Sequence, residues 1–124
     1  MTIGYIMLGA SDPAKAKAFY EPLMTQLGFT VNATYSNDTR TWFAPATGMP
    51  MLVVGKPHDG DATFGNGTMI ALLAPSREVV DKVHADALKA GGKDEGAPGL
   101  RGDTFYGAYF RDPDGNKIAL FKIG

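Results

Sequence analysis

A chain of 124 residues is long enough for one compact domain, or for two small modules sharing a core, and leaves little length for tails. Twelve Lys and Arg stand against thirteen Asp and Glu, and the charges are scattered, so no bulk field selects nucleic acid or an anionic membrane. The absence of Cys excludes disulfides, thiolate-bound zinc, iron–sulfur clusters and thiol nucleophiles.

The opening Met1-Thr2-Ile3-Gly4-Tyr5 enters a structural segment with no basic stretch followed by a long apolar run, which makes a cytoplasmic location the expectation. No apolar stretch approaches the roughly 18 residues a membrane-crossing helix needs. Residues 3 to 9 form a short apolar run that suits a strand buried on both sides. Asp12 is placed to cap a helix and Pro13 suits its first position. Ala16, Phe19, Tyr20, Leu23, Met24 and Leu27 then recur at helical spacing, with Gly28 as the exit. Pro22 falls inside that pattern and predicts a distortion or local interruption.

Three short strands are expected next, over 29–34, 39–43 and 51–54. They are separated by the turn formers Tyr35-Ser36-Asn37-Asp38 and by a segment holding two prolines and a glycine. Residues 56–66 are polar and glycine-rich and read as a mobile linker between modules 1–55 and 67–124. The glycines of 60–67 lack the Lys-Ser/Thr ending and the following helix of a nucleotide-phosphate loop.

The second half repeats the first at an offset of 64 residues. Tyr5 falls on Met69, Ile6 on Ile70, Leu8 on Leu72, Ala10 on Ala74, Gly28 on Gly92 and Trp42 on Tyr106. Ser76 caps the second helix, whose apolar positions run from Val79 to Leu88, and Gly91-Gly92 ends it. Lys93 to Arg101 carries a weak strand signal, with room for one short strand before Gly96-Ala97-Pro98-Gly99. Residues 105–111 and 117–123 are clearer strands, joined as a hairpin by Asp112-Pro113-Asp114-Gly115-Asn116. The two modules, each with one helix and about four strands, define an α+β chain. Each sheet is left with a face it cannot bury alone, and pairing the modules leaves a concavity where a ligand fits.

Phe110-Arg111-Asp112-Pro113-Asp114-Gly115-Asn116-Lys117-Ile118 resembles the closing hairpin of the glyoxalase, bleomycin-resistance and extradiol-dioxygenase (vicinal oxygen chelate) superfamily. Gly65-Asn66-Gly67-Thr68 through Ala74-Pro75-Ser76, with Gly91-Gly92-Lys93 and Gly96 to Arg101, is similar to a bacterial glyoxalase-like branch of it. Ser11-Asp12, Phe19-Tyr20 and Leu27-Gly28-Phe29 resemble the opening of the first module. The resemblance implies one domain over 1–124, built of two paired βαβββ modules around a U-shaped cavity and commonly assembled as a homodimer. It also implies a divalent metal that binds adjacent substrate oxygens. In the superfamily that metal is held by a His, Gln or Glu on the first strand, where this chain has Tyr5. A second His is usual at the place of Met69 and a Glu at the place of Ala119, and a fourth ligand, where used, lies within 51–55. Met69 and Ala119 cannot replace an imidazole or carboxylate on a hard cation, and neutral Tyr5 is a poor ligand alone. The two histidines offer no substitute, since His58 reads as a loop residue and His84 as a partly exposed helix residue. Neither a metal nor another cofactor is therefore expected.

A cavity without a metal still binds an organic ligand. Tyr5, Trp42, Met69 and Tyr106, if all turned inward, would line an aromatic and mostly apolar pocket that Ala119 would also border. Arg40 or Arg101 would supply a positive group for a carboxylate or phosphate. Against this stand core or interface roles for Trp42, a surface role for Arg40 and a loop-tethering role for Arg101. Three functions are open at this point: a metal-independent binder of a small organic molecule, a lyase or isomerase with a non-standard site, and a non-catalytic dimeric interaction protein.

Overall fold

In the computed structural model, which describes residues 3–124, the first apolar run folds as β1 (Tyr5–Gly9). The expectation placed on Met1 and Thr2 lies outside the described residues. The Asp12 carboxylate accepts the Lys15 backbone N–H at 3.1 Å and starts α1 (Pro13–Gln26), as its position before Pro13 predicts. The chain continues through β2 (Phe29–Val31), β3 (Arg40–Pro45) and β4 (Met51–Gly55). These form a mixed sheet in the order β1-β4-β3-β2, with β1 parallel to β4 and the other pairs antiparallel. The second unit repeats the plan with β5 (Met69–Leu73), α2 (Arg77–Lys89), β6 (Lys93–Arg101), β7 (Phe105–Arg111) and β8 (Lys117–Ile123). Its order is β5-β8-β7-β6. The two compact units are Met1–Thr63 and Phe64–Gly124. The fold is α+β, made of two βαβββ modules, and neither sheet closes into a barrel.

Each helix covers one face of its own sheet. In the first unit Phe19, Tyr20, Leu23 and Met24 of α1 are buried with Leu8, Phe43, Leu52 and Val54. In the second, Val80, Val83 and Ala87 of α2 are buried with Ala108, Phe110, Ile118 and Leu120. Alternation along the strands decides this division, since only every second side chain can reach the helix.

The same alternation corrects the expectation of a first strand buried on both sides. Tyr5 is 57% exposed and Met7 is exposed, because β1 lies at a sheet edge and α1 covers only the other face. Pro22 does not interrupt α1, which runs unbroken to Gln26. Pro22 and Ala18, whose carbonyl loses its partner to the proline, are both exposed, so water replaces the missing bond while the buried face keeps its packing. Lys93 to Arg101 is not a short strand followed by a loop. It is one nine-residue strand with register shifts between Asp94 and Gly96 and between Gly96 and Gly99. Pro98 is tolerated there because β6 is an edge strand.

The linker residues also have defined neighbours within their own units. A Cβ on Gly9 would meet Ala62 at 3.3 Å and Pro57 at 3.7 Å, and one on Gly115 would lie 2.5 Å from the Phe64 ring.

His84, expected to be partly exposed, is 4% exposed. Its Nε2 lies 3.1 Å from Asp94 Oδ1 and 3.2 Å from the Tyr109 carbonyl, and its ring packs edge-on to Phe110 at 6.5 Å. The side chain thereby ties α2 to β6 and β7. His84→Ala is expected to destabilise the fold by about 2 kcal/mol through lost packing and an unmet carbonyl, measured by urea unfolding.

Candidate functional site

Each sheet has a second face that its helix leaves uncovered. In the first unit the register rows Met7–Val53–Trp42 and Gly9–Gly55–Arg40 lie on it, with Tyr5 one row further along β1. Trp42 and Tyr5 meet with ring centroids 4.8 Å apart. Tyr35 joins them, 5.5 Å from Trp42. It is positioned by a turn in which Asn32 Oδ1 accepts the Tyr35 N–H at 3.0 Å and Ser36 Oγ accepts the Trp42 N–H at 3.0 Å. Val53 is fully buried on this face, flanked in register by Met7 and Trp42. The result is a tilted aromatic cluster, open to solvent at Tyr5 and Tyr35. Arg40 stands at the end of the cluster's strand, its Nε donating to the Lys56 carbonyl at 3.1 Å.

In the second unit the corresponding row is Ala71–Ala119–Tyr109. Ala119 is 1% exposed, and Met69 is exposed at the start of the neighbouring strand. Arg101 stacks on the Tyr109 ring at 5.0 Å and donates to the carbonyls of Ala97, Gly99 and Gly107. Its guanidinium thus holds the bulged β6 against β7. Gly96 makes room for this, since a Cβ there would lie 2.9 Å from Tyr109 Cδ2 and 3.1 Å from Arg101 Nη2.

Tyr106 lies on the opposite face of β7 from Tyr109, the face turned to α2. Its hydroxyl donates to Asp81 Oδ1 at 2.6 Å, and the Arg77 guanidinium sits 5.1 Å from its ring centroid. The hydrogen bond to Asp81, with burial and the carboxylate's charge adding to it, raises the phenol's pKa above its ordinary value. A proton held this way is poorly placed for general acid chemistry near neutrality.

The spatial counterpart of Trp42 is Tyr109 rather than Tyr106, just as Phe43 corresponds to Phe110 and Val53 to Ala119. The offset of 64 residues holds for the first strands and helices, but three extra residues enter before β7. An odd shift exchanges the faces of a strand. The cue lay in the alternation, which sets Phe43 and Phe110 in phase as core positions. Of the residues singled out from sequence, the first unit brings together Tyr5 and Trp42 with Arg40 on the same face. The second places Met69 and Ala119 on one face and Tyr106 on the other. Tyr35 lies in a turn outside any periodic pattern, and Tyr109 shared the alternation of β7 on the face opposite Tyr106.

Such a chain is a two-module α+β protein whose sheets each keep one face free of helix. The family model of the Glyoxalase/Bleomycin resistance protein/Dioxygenase superfamily matches residues 2–120, and the chain belongs to that superfamily. Among solved structures it is similar to a glyoxalase/bleomycin resistance protein from Albidiferax ferrireducens T118, with 33% identity, 98% of each chain covered and a TM-score of 0.87. It shares its fold with a superfamily enzyme from Burkholderia phytofirmans PsJN (18% identity, 100% of both chains, TM-score 0.76). A glyoxalase-related enzyme from Fulvimarina pelagi is similar at 18% identity, with 98% of this chain and 88% of that one covered and a TM-score of 0.76. No curated protein matches the chain.

The residues present do not fit the divalent metal that this superfamily suggests. The places that the resemblance assigns to its ligands hold a thioether at Met69, a methyl at Ala119 and a phenol at Tyr5. Among the described residues no three His, Cys, Asp or Glu side chains are grouped closely enough to hold a metal ion. Among the same residues, no helix is long and apolar enough to cross a membrane.

Proposed function

We propose that the chain is a metal-independent, glyoxalase-like protein that binds a small organic molecule, acting in the cytoplasm as a homodimer of single 1–124 domains whose modules 1–55 and 67–124 are joined by 56–66. The observation that carries this reading is the Tyr5–Trp42–Tyr35 cluster, an aromatic surface left open on a sheet face of the first unit. Rings stacked at a tilt offer a flat apolar ligand both faces and edges to pack on, and the tyrosine hydroxyls supply polar ends. The exposed apolar side chains of Met69 and Leu73 on the edge strand β5 support a contact with a second copy. The solved relative at 33% identity supports a glyoxalase or resistance-protein type of ligand site.

Trp42 is the only tryptophan in the chain, so its fluorescence reports on this surface directly. Titrating a panel of small aromatic compounds in the presence of a chelator is expected to give saturable quenching. Tyr5→Ala is expected to weaken the best binder about tenfold, because one ring contact is lost. Stability should change by no more than about 0.5 kcal/mol, since Tyr5 is largely exposed. A folded sample that binds none of the panel but turns over a superfamily substrate only when a divalent metal is supplied would overturn the reading.

A further inference from the structure

Arg40 belongs to a second feature of the first unit, built from residues that the aromatic surface does not use. A pocket of 380 Å³ is lined by Asn37, Thr39, Arg40, Lys56, Pro57 and His58. The sheet is bare beside Arg40, because its row partners across β4 and β1 are Gly55 and Gly9. A Cβ on Gly55 would lie 2.8 Å from Arg40 Cγ, so glycine is what lets the arginine side chain lie across the strand. The guanidinium is anchored through Nε to the Lys56 carbonyl, and the Lys56 N–H donates in turn to the Thr39 carbonyl at 2.9 Å. Asn37 Oδ1 accepts from the N–H of Thr39, the N–H of Arg40 and the Thr39 hydroxyl, at 2.9 to 3.0 Å. With its oxygen so engaged, the Asn37 side chain has only its amide N–H groups left to offer.

The lining residues carry donors: the two terminal nitrogens of Arg40, the Lys56 ammonium, the Asn37 amide and a ring nitrogen of His58. No carboxylate lines the pocket. Among the described residues none lies within ion-pair distance of Arg40 or Lys56. Asp61 lines the adjoining 190 Å³ pocket, which Lys56 and Pro57 also border. Two positively charged side chains belong to the lining without an ion-pair partner, and a bound anion offsets their charge.

We propose that this pocket binds the phosphoryl group of a small organic phosphate. Arg40 takes two oxygens through its terminal nitrogens, and Lys56 and the Asn37 amide take the third. Two formal positive charges match a phosphate dianion, whereas a monocarboxylate would leave one charge unmet and supply too few acceptors. Trp42 lies two residues along β3 on the same face as Arg40, so a ring attached to the phosphate runs toward the aromatic cluster. That organic half rests on the function proposed above.

The test is a titration of the isotope-labelled full chain, followed by amide and Trp42 indole resonances, with inorganic phosphate, phenyl phosphate and phenol at matched ionic strength. Inorganic phosphate is expected to shift the amides of Thr39, Arg40, Lys56 and His58. Phenyl phosphate should add the Trp42 indole and bind more tightly. Arg40→Gln and, separately, the exposed-site Lys56→Gln should each weaken phosphate binding about tenfold or more, as loss of a charge-assisted hydrogen bond does. Second-unit resonances serve as the check on folding. Absence of phosphate shifts, or shifts equal in both variants and the parent, overturns the pocket. Phenol shifts at Trp42 in that case leave the aromatic reading standing. Phosphate shifts with no response of Trp42 to either organic probe overturn the aromatic reading and leave a site for the bare anion.

Discussion

Phe110→Ala is expected to lower the unfolding free energy by about 3–5 kcal/mol, the range for removing a large aromatic from a well-packed core. Phe110 is 1% exposed, pairs across the strands with Ile118, itself fully buried, and receives the His84 ring. The helix α2 packs onto this side of β7 and β8, so the cavity opens where the helix is attached to its sheet. Against the roughly 5–15 kcal/mol that holds a typical domain together, a loss of this size removes much of the folded population at moderate denaturant. The control is Phe121→Ala. Phe121 lies on the other face, half-buried and stacked on Phe105 with centroids 5.3 Å apart, and its removal should cost only about 1–2 kcal/mol. Urea unfolding followed by circular dichroism measures both. An equal or larger loss at Phe121 would show that the core of the second unit had been placed on the wrong face.

Asp112→Ala is expected to cost about 3 kcal/mol, although the residue lies in a turn. Asp112 is 5% exposed, and its Oδ1 accepts the N–H groups of Asp114 and Asn116, both at 2.9 Å. Its Oδ2 accepts from the Asn116 side-chain amide at 2.9 Å. Alanine would leave these donors without their acceptor, the Asn116 amide among them on a buried side chain. Gly115 adopts φ +91°, a conformation only glycine takes without strain, and a Cβ there would strike the Phe64 ring. Arg111 braces the same turn, donating to the Gly115 carbonyl at 2.8 Å and to Glu95 at 2.6 Å, and the latter hydrogen bond lowers the Glu95 pKa. Asp112→Asn should lose much less, because its oxygen can still accept from the backbone and the Asn116 amide can turn to meet the new group. A difference of less than about 0.5 kcal/mol between the two variants would rule out the buried hydrogen bonds as the source of the loss.

The helix starts at Asp12 and Ser76 and the closing hairpin were legible because each depends on neighbours within a few residues. A cap needs only an acceptor three residues before a free N–H. That Tyr5 and Met7 share one face of β1, and Arg40 and Trp42 one face of β3, was legible from alternation, which fixes facing within a strand but not which face the helix leaves open. The length of β6 was not, because Gly96, Pro98 and Gly99 look like a loop until β7 supplies the partner that holds a bulged strand in place. The burial of His84 depends on Asp94 and the Tyr109 carbonyl, ten and twenty-five residues away. Neither contact is encoded in the periodicity of a helix.

By itself, then, the sequence determined two repeated modules of one helix and about four strands, with their caps and turns, and its resemblance to the superfamily implied that Tyr5, Met69 and Ala119 stand at the places of metal donors. The repeat, the caps and the turns follow from residue chemistry and local spacing, which survive without knowledge of the fold. Only the tertiary structure decided that Tyr109 rather than Tyr106 stands where Trp42 does, and that Tyr35 joins the aromatic cluster. It alone set Lys56 and His58 beside Arg40. Strand register turns a displacement of three residues into a change of face, and the backbone hydrogen bonds that fix register form between segments far apart in the chain.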